Sequence, residues 1–146
     1  MHIPTPAPGL VIRYSYLWHS EHLAGRDEGT KDRPVAIVAT VVVGDDGDTR
    51  VLVLPVTHSA PERGVAAIEI PATLKQSLGL DSDRSWIVLA EWNEFVWPGP
   101  DLRPVPHDDK GNVAYGFLTR GFFARARNDF VAAVEAGRSR RVPRTE

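Results

Sequence analysis

The sequence predicts a mainly β protein with added helices, an α+β chain folded as a small, strongly curved barrel or twisted antiparallel sheet. Three observations point there. Apolar, β-branched runs of strand length recur through residues 10–95, separated by glycine- and proline-rich turns. One turn, Gly44-Asp45-Asp46-Gly47-Asp48, joins two such runs as a hairpin. After Thr119 the apolar period lengthens to that of a helix.

Each element follows from its residues. Pro4, Pro6 and Pro8 make an extended lead-in, and Gly9 releases a strand from Leu10 to Trp18. Residues 19–32 are polar and hold two glycines, which predicts a long functional loop. Pro34 to Val43 is almost continuously apolar, as a strand covered on both faces would be. Arg50 to Val56 returns beside it, and Val65 to Ile70 is a further short strand. Pro71 suits the first position of a short helix, Ala72 to Leu78, stopped by Gly79. Trp86 to Ala90 is a buried strand running on toward Phe95, broken by Trp97-Pro98-Gly99-Pro100-Asp101. Residues 98–112 read as loop. From Thr119 to Ala136, Phe122, Phe123, Ala126, Phe130, Val131 and Val134 form the apolar stripe of a helix that Gly137 ends. The count is five to six strands, a short helix and a C-terminal helix. A length of 146 residues gives one domain, residues 1–137, followed by a basic tail, 138–146.

Composition narrows the chemistry. The chain has no cysteine, which excludes disulfides, thiolate metal sites and a cysteine nucleophile. The opening residues lack a basic region and an apolar core, so no signal peptide is expected, and no apolar run is long enough to span a bilayer. Cysteine-free composition fits a reducing cytoplasm. Charge is uneven. Residues 1–119 carry 10 Lys/Arg against 16 Asp/Glu, and residues 120–146 carry 7 Arg against 3 acids. Such a tail either contacts nucleic acid or the protein's own acidic face, or is a solvated arm.

Two segments carry the chemical content. Arg33 precedes Pro34 and therefore stands, with an extended backbone, at the entrance of a buried strand. Its guanidinium fork suits phosphodiester oxygens, and the plainer reading is a surface ion pair with Asp32 or Glu28. Leu54-Pro55-Val56-Thr57-His58-Ser59 ends the return strand. Strand alternation puts Thr57 and Ser59 on one face and His58 on the other, unless the strand has ended. Hydroxyls there either donate to a phosphate or serve turn chemistry. Glu28 is a base or an orienter of Arg33. His19 and His22 flank Glu21 as acid–base candidates or as polar loop residues, and without a third ligand they make no metal site. Arg26, Lys31, Arg33 and Arg63 would form the basic patch that an RNA-binding surface needs on an acidic body. The general base is open among Glu28, His19, His22 and His58.

In order and spacing, these segments resemble the MazF/PemK family of bacterial toxins. Gly9-Leu10-Val11-Ile12 is similar to the family's opening glycine and first strand, with Leu10 where aspartate is often found. Glu28 followed by Arg33-Pro34 resembles its acidic residue before an Arg-Pro. Leu54 to Ser59 resembles its second-strand segment. The resemblance covers roughly residues 9–95. It implies an SH3-like barrel, a homodimer, and a cytoplasmic endoribonuclease that needs no metal or other cofactor. Single-stranded RNA would be cut by attack of the ribose 2′-hydroxyl on the adjacent phosphate, with a small antitoxin protein as partner. Arg33 would stabilise charge on phosphorus or act as the acid, Thr57 would hold a phosphate oxygen, and Glu28 would be the base or orienter. Ser59, His58, Lys31, Arg26 and His19 would bind substrate. The alternative is a non-catalytic member of the same fold that binds RNA or inhibits a protein target such as gyrase. Exposure of Trp92, Trp97 and the tail would mark that alternative.

Overall fold

The computed structural model describes residues 1–45 and 47–144; Asp46 of the hairpin turn and the last two residues of the tail lie outside them. The elements run β1 (Leu10–Tyr14), α1 (His19–Leu23), β2 (Arg33–Val43), β3 (Asp48–Thr57), β4 (Ala67–Glu69), α2 (Ala72–Ser77), β5 (Trp86–Val88), β6 (Glu91–Val96), β7 (Ala114–Phe117), α3 (Arg120–Glu135) and β8 (Arg140–Val142). Among the described residues these make an open, mainly antiparallel eight-stranded sheet with three helices. The α+β class is as expected. The sheet is open rather than closed, and its strands exceed five or six.

The centre of the sheet explains the apolar run after Pro34. Ala36 and Val38 join Val11, Leu54 and Val56 on one face, beneath Leu74, Leu78, Ala126 and Phe130 of α2 and α3. Val35 and Ile37 join Ile12, Tyr14, Val51 and Val53 on the other, against Phe95, Leu102 and Val113. Alternate residues thus serve two cores, and no polar side chain interrupts the strand from Pro34 to Ala39. β3 divides the sheet: residues 50–53 pair with β6, and Val56 and Thr57 pair with β5. Pro55 stands between the two partners and has no N–H to give to either.

Four local readings are corrected. The first strand stops at Tyr14 because Asn93, fully buried, takes over the backbone beyond it. The Asn93 amide accepts from Leu17 N–H at 2.9 Å and donates to Leu17 C=O at 2.8 Å. The segment 19–32 is not all loop, since α1 opens it. Glu21 Oε1 accepts the Trp18 N–H at 3.0 Å and satisfies one of the amides a helix start leaves free. The run from Trp86 to Phe95 is two strands, not one, because its halves pair with different parts of β3. On α3, Ala126, Phe130 and Ala133 face the core, whereas Val131 and Val134 are 45% and 39% exposed. Ala126 and Phe130 of the predicted stripe are buried and Phe122 and Phe123 pack on the core, while Ala133 rather than Val131 or Val134 completes the buried face.

β7 and β8 were not foreseen. β7 pairs with β1, and β8 runs parallel to β6. Of the terminal stretch, residues 140–142 are therefore built into the sheet.

Gly29 holds the loop after α1 against the chain. A Cβ there would collide with the Tyr16 carbonyl oxygen. Gly29→Ala is expected to lower stability by about 1–3 kcal/mol, the usual cost of forced overpacking, read as a reduced midpoint in urea unfolding.

Candidate functional site

A groove of about 1220 Å³ opens where β2 begins and β3 ends. Arg33, Thr57, His58, Ser59, Lys31 and His19 all line it. Antiparallel register creates this meeting. Val35 lies opposite Pro55 at the end of the ladder, and Arg33 and Thr57 lie two residues further along their strands, where both line the groove.

Arg33 is half-buried. Its Nη1 donates to Val56 C=O at 3.2 Å, and its guanidinium carbon sits 4.9 Å from the centre of the Trp18 ring. Nε is buried without an acceptor. Among the described residues it forms no ion pair: Asp32 instead meets Arg103 at 3.6 Å. Burial pulls the guanidinium pKa down, with the Glu21 and Tyr16 charges opposing it. Arg33 therefore brings most of its hydrogen-bonding capacity and an uncompensated charge to the groove. Thr57 Oγ1 accepts the Ser59 N–H at 3.2 Å, which leaves its own hydrogen to donate elsewhere.

The wall beside Arg33 is built on Glu91. Its Oε1 accepts Tyr16 O–H and His19 N–H, each at 3.0 Å. Burial raises the Glu91 carboxyl, against the pull of these donors, and burial with the neighbouring Glu91 charge raises the Tyr16 phenol well above its ordinary range. His19 Nε2 accepts from Arg140 Nη1 at 2.9 Å, so β8 contributes to the groove. Arg13 lines it too, donating to Tyr115 O–H at 3.3 Å.

Arg26, Glu28 and His22 are not part of the groove lining, nor is Arg63. Glu28 is exposed, and its backbone carbonyl accepts from Arg26 Nε at 3.3 Å. Glu21 does the orienting work in this segment. Burial would raise its carboxyl, but the Trp18 amide and Thr30 donors outweigh burial and hold it below the usual carboxylate range.

β3 ends at Thr57, and just past it His58, still lining the groove, meets residues the sequence did not single out. His58 Nε2 lies 2.9 Å from Asp81 Oδ2, and Nδ1 lies 3.0 Å from Ser85 Oγ and 3.2 Å from Arg84 C=O. Beneath them is Lys75, 3% exposed. Its ammonium donates to Asp81 Oδ1 at 2.8 Å, to Ser85 Oγ at 2.7 Å and to Asp83 C=O. All three of its hydrogens are satisfied. His58, Asp81 and Asp83 have the donor types and closeness of a metal site. The Lys75 ammonium already supplies the cation that Asp81 and the Asp83 backbone hold. One signal of this cluster is in the sequence: Lys75 follows Leu74, a core position, in a helix too short to turn it fully outward.

Burial works to raise the Asp81 carboxyl, but Lys75 and His58 outweigh burial and hold it below its ordinary 3.8. Both Glu21 and Asp81 are thus depressed in the folded state. Each adds stability above its ordinary range, and that stability is lost as pH falls through the lowered values. Urea unfolding should show a falling midpoint below about pH 4, and Glu21→Gln should flatten part of that fall.

No known protein family, curated protein or solved structure matches this chain significantly. No helix among the described residues is long and apolar enough to cross a membrane.

Proposed function

We propose that this chain is a metal-independent endoribonuclease of the MazF/PemK toxin kind, its curved sheet a variant of the SH3-like barrel. Single-stranded RNA would lie in the groove. One observation carries this reading: a half-buried arginine, without a carboxylate partner among the described residues, lines an open groove together with a threonine that can still donate its hydroxyl hydrogen. A pentacoordinate phosphorus carries extra negative charge on its equatorial oxygens, and a preorganised guanidinium stabilises that charge more than the ground state. Thr57 donates to one phosphate oxygen. Trp18, under Arg33, fixes the fork's plane. Lys31, Arg13 and Arg140 would supply further positive charge for the flanking phosphates, in a lining that also holds Asp32, Glu62, Asp81 and Glu91.

The same reading assigns a small antitoxin that would cover the groove, a homodimer as the working unit, and a cytoplasmic setting. The non-catalytic alternative has less to stand on. Trp92 packs edge-on against Phe130 with ring centres 5.4 Å apart, and Trp97 stacks near Phe95 at 6.2 Å. Neither is offered as an exposed anchor. The purified protein, incubated with single-stranded RNA in EDTA, should yield fragments with cyclic phosphate and 5′-hydroxyl ends. Intact RNA in the presence of well-folded protein overturns the proposal.

A further inference from the structure

We propose that a second cavity, continuous with the groove, is a nucleobase subsite in which Tyr115 stacks on the base and Asn112 selects bases that carry an amino group. This rests on the ribonuclease reading and adds what that reading leaves open, which residues hold a base beside the cut. The cavity measures about 530 Å³ and lies between the turn after α2 and the loop 105–112. Gly79, Val105, Pro106, His107 and Tyr115 line both it and the groove, so a strand in the groove passes directly into it.

Strand register shows how the two spaces connect. Tyr14 pairs with Arg33, and Arg13 pairs with Pro34. Tyr14 belongs to the core on one face of the sheet, whereas Val11 and Ala36 belong to the core beneath α2 and α3. Alternation therefore puts Arg13 on the α2 side and Arg33 on the opposite side. The groove thus turns round the start of β2, with one guanidinium on each side. Arg13 Nη1 donates to the Tyr115 hydroxyl oxygen at 3.3 Å. A phosphate next to the one on Arg33 would meet Arg13, and the base it carries would fall on Tyr115.

The lining suits a base better than a phosphate. Leu78, Val105, Pro106 and Ala114 are apolar, and the half-buried Tyr115 ring offers a face on which any base can stack. Asp108 and Asp109 also line the cavity, which repels a phosphate and favours N–H donors. Asp108 is engaged at both oxygens. Oδ1 accepts the Lys110 N–H at 2.8 Å, and Oδ2 accepts from Asn112 Nδ2 at 2.9 Å. The second contact orients Asn112. A carboxylate takes only donors, so the amide nitrogen faces Asp108 and Oδ1 is left as an acceptor. A fixed acceptor pairs with the exocyclic amino group of adenine, cytosine or guanine. Uracil has no amino group and would set a carbonyl against it.

The loop is shaped before any RNA arrives. Val105 N–H closes its neck on Asn112 C=O at 2.7 Å, and His2 N–H ties it to the N-terminus through Gly111 C=O at 2.8 Å. His107 holds a left-handed φ of 64°, which a residue with a Cβ keeps only where its surroundings fix it. A base therefore enters without first ordering the loop, which favours binding.

The test is a random single-stranded RNA pool cut by the full chain, with the new ends sequenced. Wild type should show uracil depleted at one position flanking the cut. Asn112→Leu should bring uracil there to within about twofold of the other bases, while Arg33-dependent cutting continues. No base preference at any flanking position, or a preference unchanged in Asn112→Leu, overturns the subsite and leaves the ribonuclease reading standing. Wild type that cuts no RNA overturns the ribonuclease reading, and binding of 2′-O-methyl oligonucleotides then decides the subsite. Oligo(A) and oligo(C) should bind more tightly than oligo(U), and Asn112→Leu should erase the difference. Equal binding of all three overturns it. If Asn112→Leu fails to fold, Tyr115→Ala takes its place. It should weaken binding of oligo(A) by about 5–100-fold, the usual effect of removing one stacking platform, and unchanged binding overturns the assignment.

Discussion

Arg33→Met is expected to abolish RNA cleavage while leaving stability within about 1 kcal/mol of wild type. The two halves of that result have one cause. Among the described residues Arg33 is half-buried with no ion pair and with Nε lacking an acceptor. Its desolvation is unreturned in the free protein. Replacing it forfeits one hydrogen bond to Val56 C=O, worth about 1 kcal/mol, and a stack on Trp18 of about 0.5–1 kcal/mol. Against this, an apolar side chain of similar length removes the burial of a charge. Cleavage has no such compensation. Losing a preorganised donor at a developing oxyanion typically costs about 10²–10³ in rate. Arg33→Lys should recover little, because a point charge keeps neither the planar fork nor the stack. Cleavage rates and urea midpoints on the same preparations check both halves. A loss of several kcal/mol in stability would mark Arg33 as structural, and retained cleavage would remove it from the chemistry.

Much of this site was legible in the strands and little of it in the loops. Pro34 to Val38 and Leu54 to Val56 announce buried strands by composition alone, and a short hairpin turn between them forces antiparallel register. That register brings the start of β2 beside the end of β3, where Arg33 and Thr57 both line the groove. What could not be read was the identity of the groups that meet His58. Lys75, Asp81 and Ser85 come from a short helix and the turn after it, and only β5, paired with β3 on one side and β4 on the other, brings them to His58. Glu28 looked like the acidic partner of Arg33 by spacing, but it is Glu21, seven residues earlier in α1, that binds the Trp18 amide beside Arg33. The strands at 114–117 and 140–142 are short and lack clear alternation, so their existence depends on neighbours they meet only in the folded sheet.

Arg144→Ala should cost about 3–5 kcal/mol, the largest stability loss expected from any single arginine, although sequence places it in a basic terminal stretch. Its side chain is 1% exposed. Nη1 donates to Ser15 C=O at 2.6 Å and to Asn93 Oδ1 at 3.2 Å, Nη2 meets Asp101 Oδ2 at 2.5 Å, and the guanidinium lies 5.1 Å from the Tyr14 ring centre. Removing it strands Asp101, only 14% exposed, with a longer 3.8 Å contact to Arg103 as its remaining ion pair. Breaking one side of a buried pair is costly because the other charge stays buried. Arg144→Ala with Asp101→Asn should therefore recover part of the loss, which urea unfolding of the four-protein cycle would show. A single-variant loss below about 1 kcal/mol would place Arg144 among ordinary surface pairs. The effect should also travel. Arg144 holds the carbonyl of Ser15 and the amide of Asn93, which in turn holds Leu17, and Glu91 holds Tyr16 and His19. Amide exchange at residues 16–19 should quicken in Arg144→Ala. The terminal arginine then sets the stiffness of the chain that carries Trp18 beneath Arg33, and the groove depends on residues at both ends of the sequence.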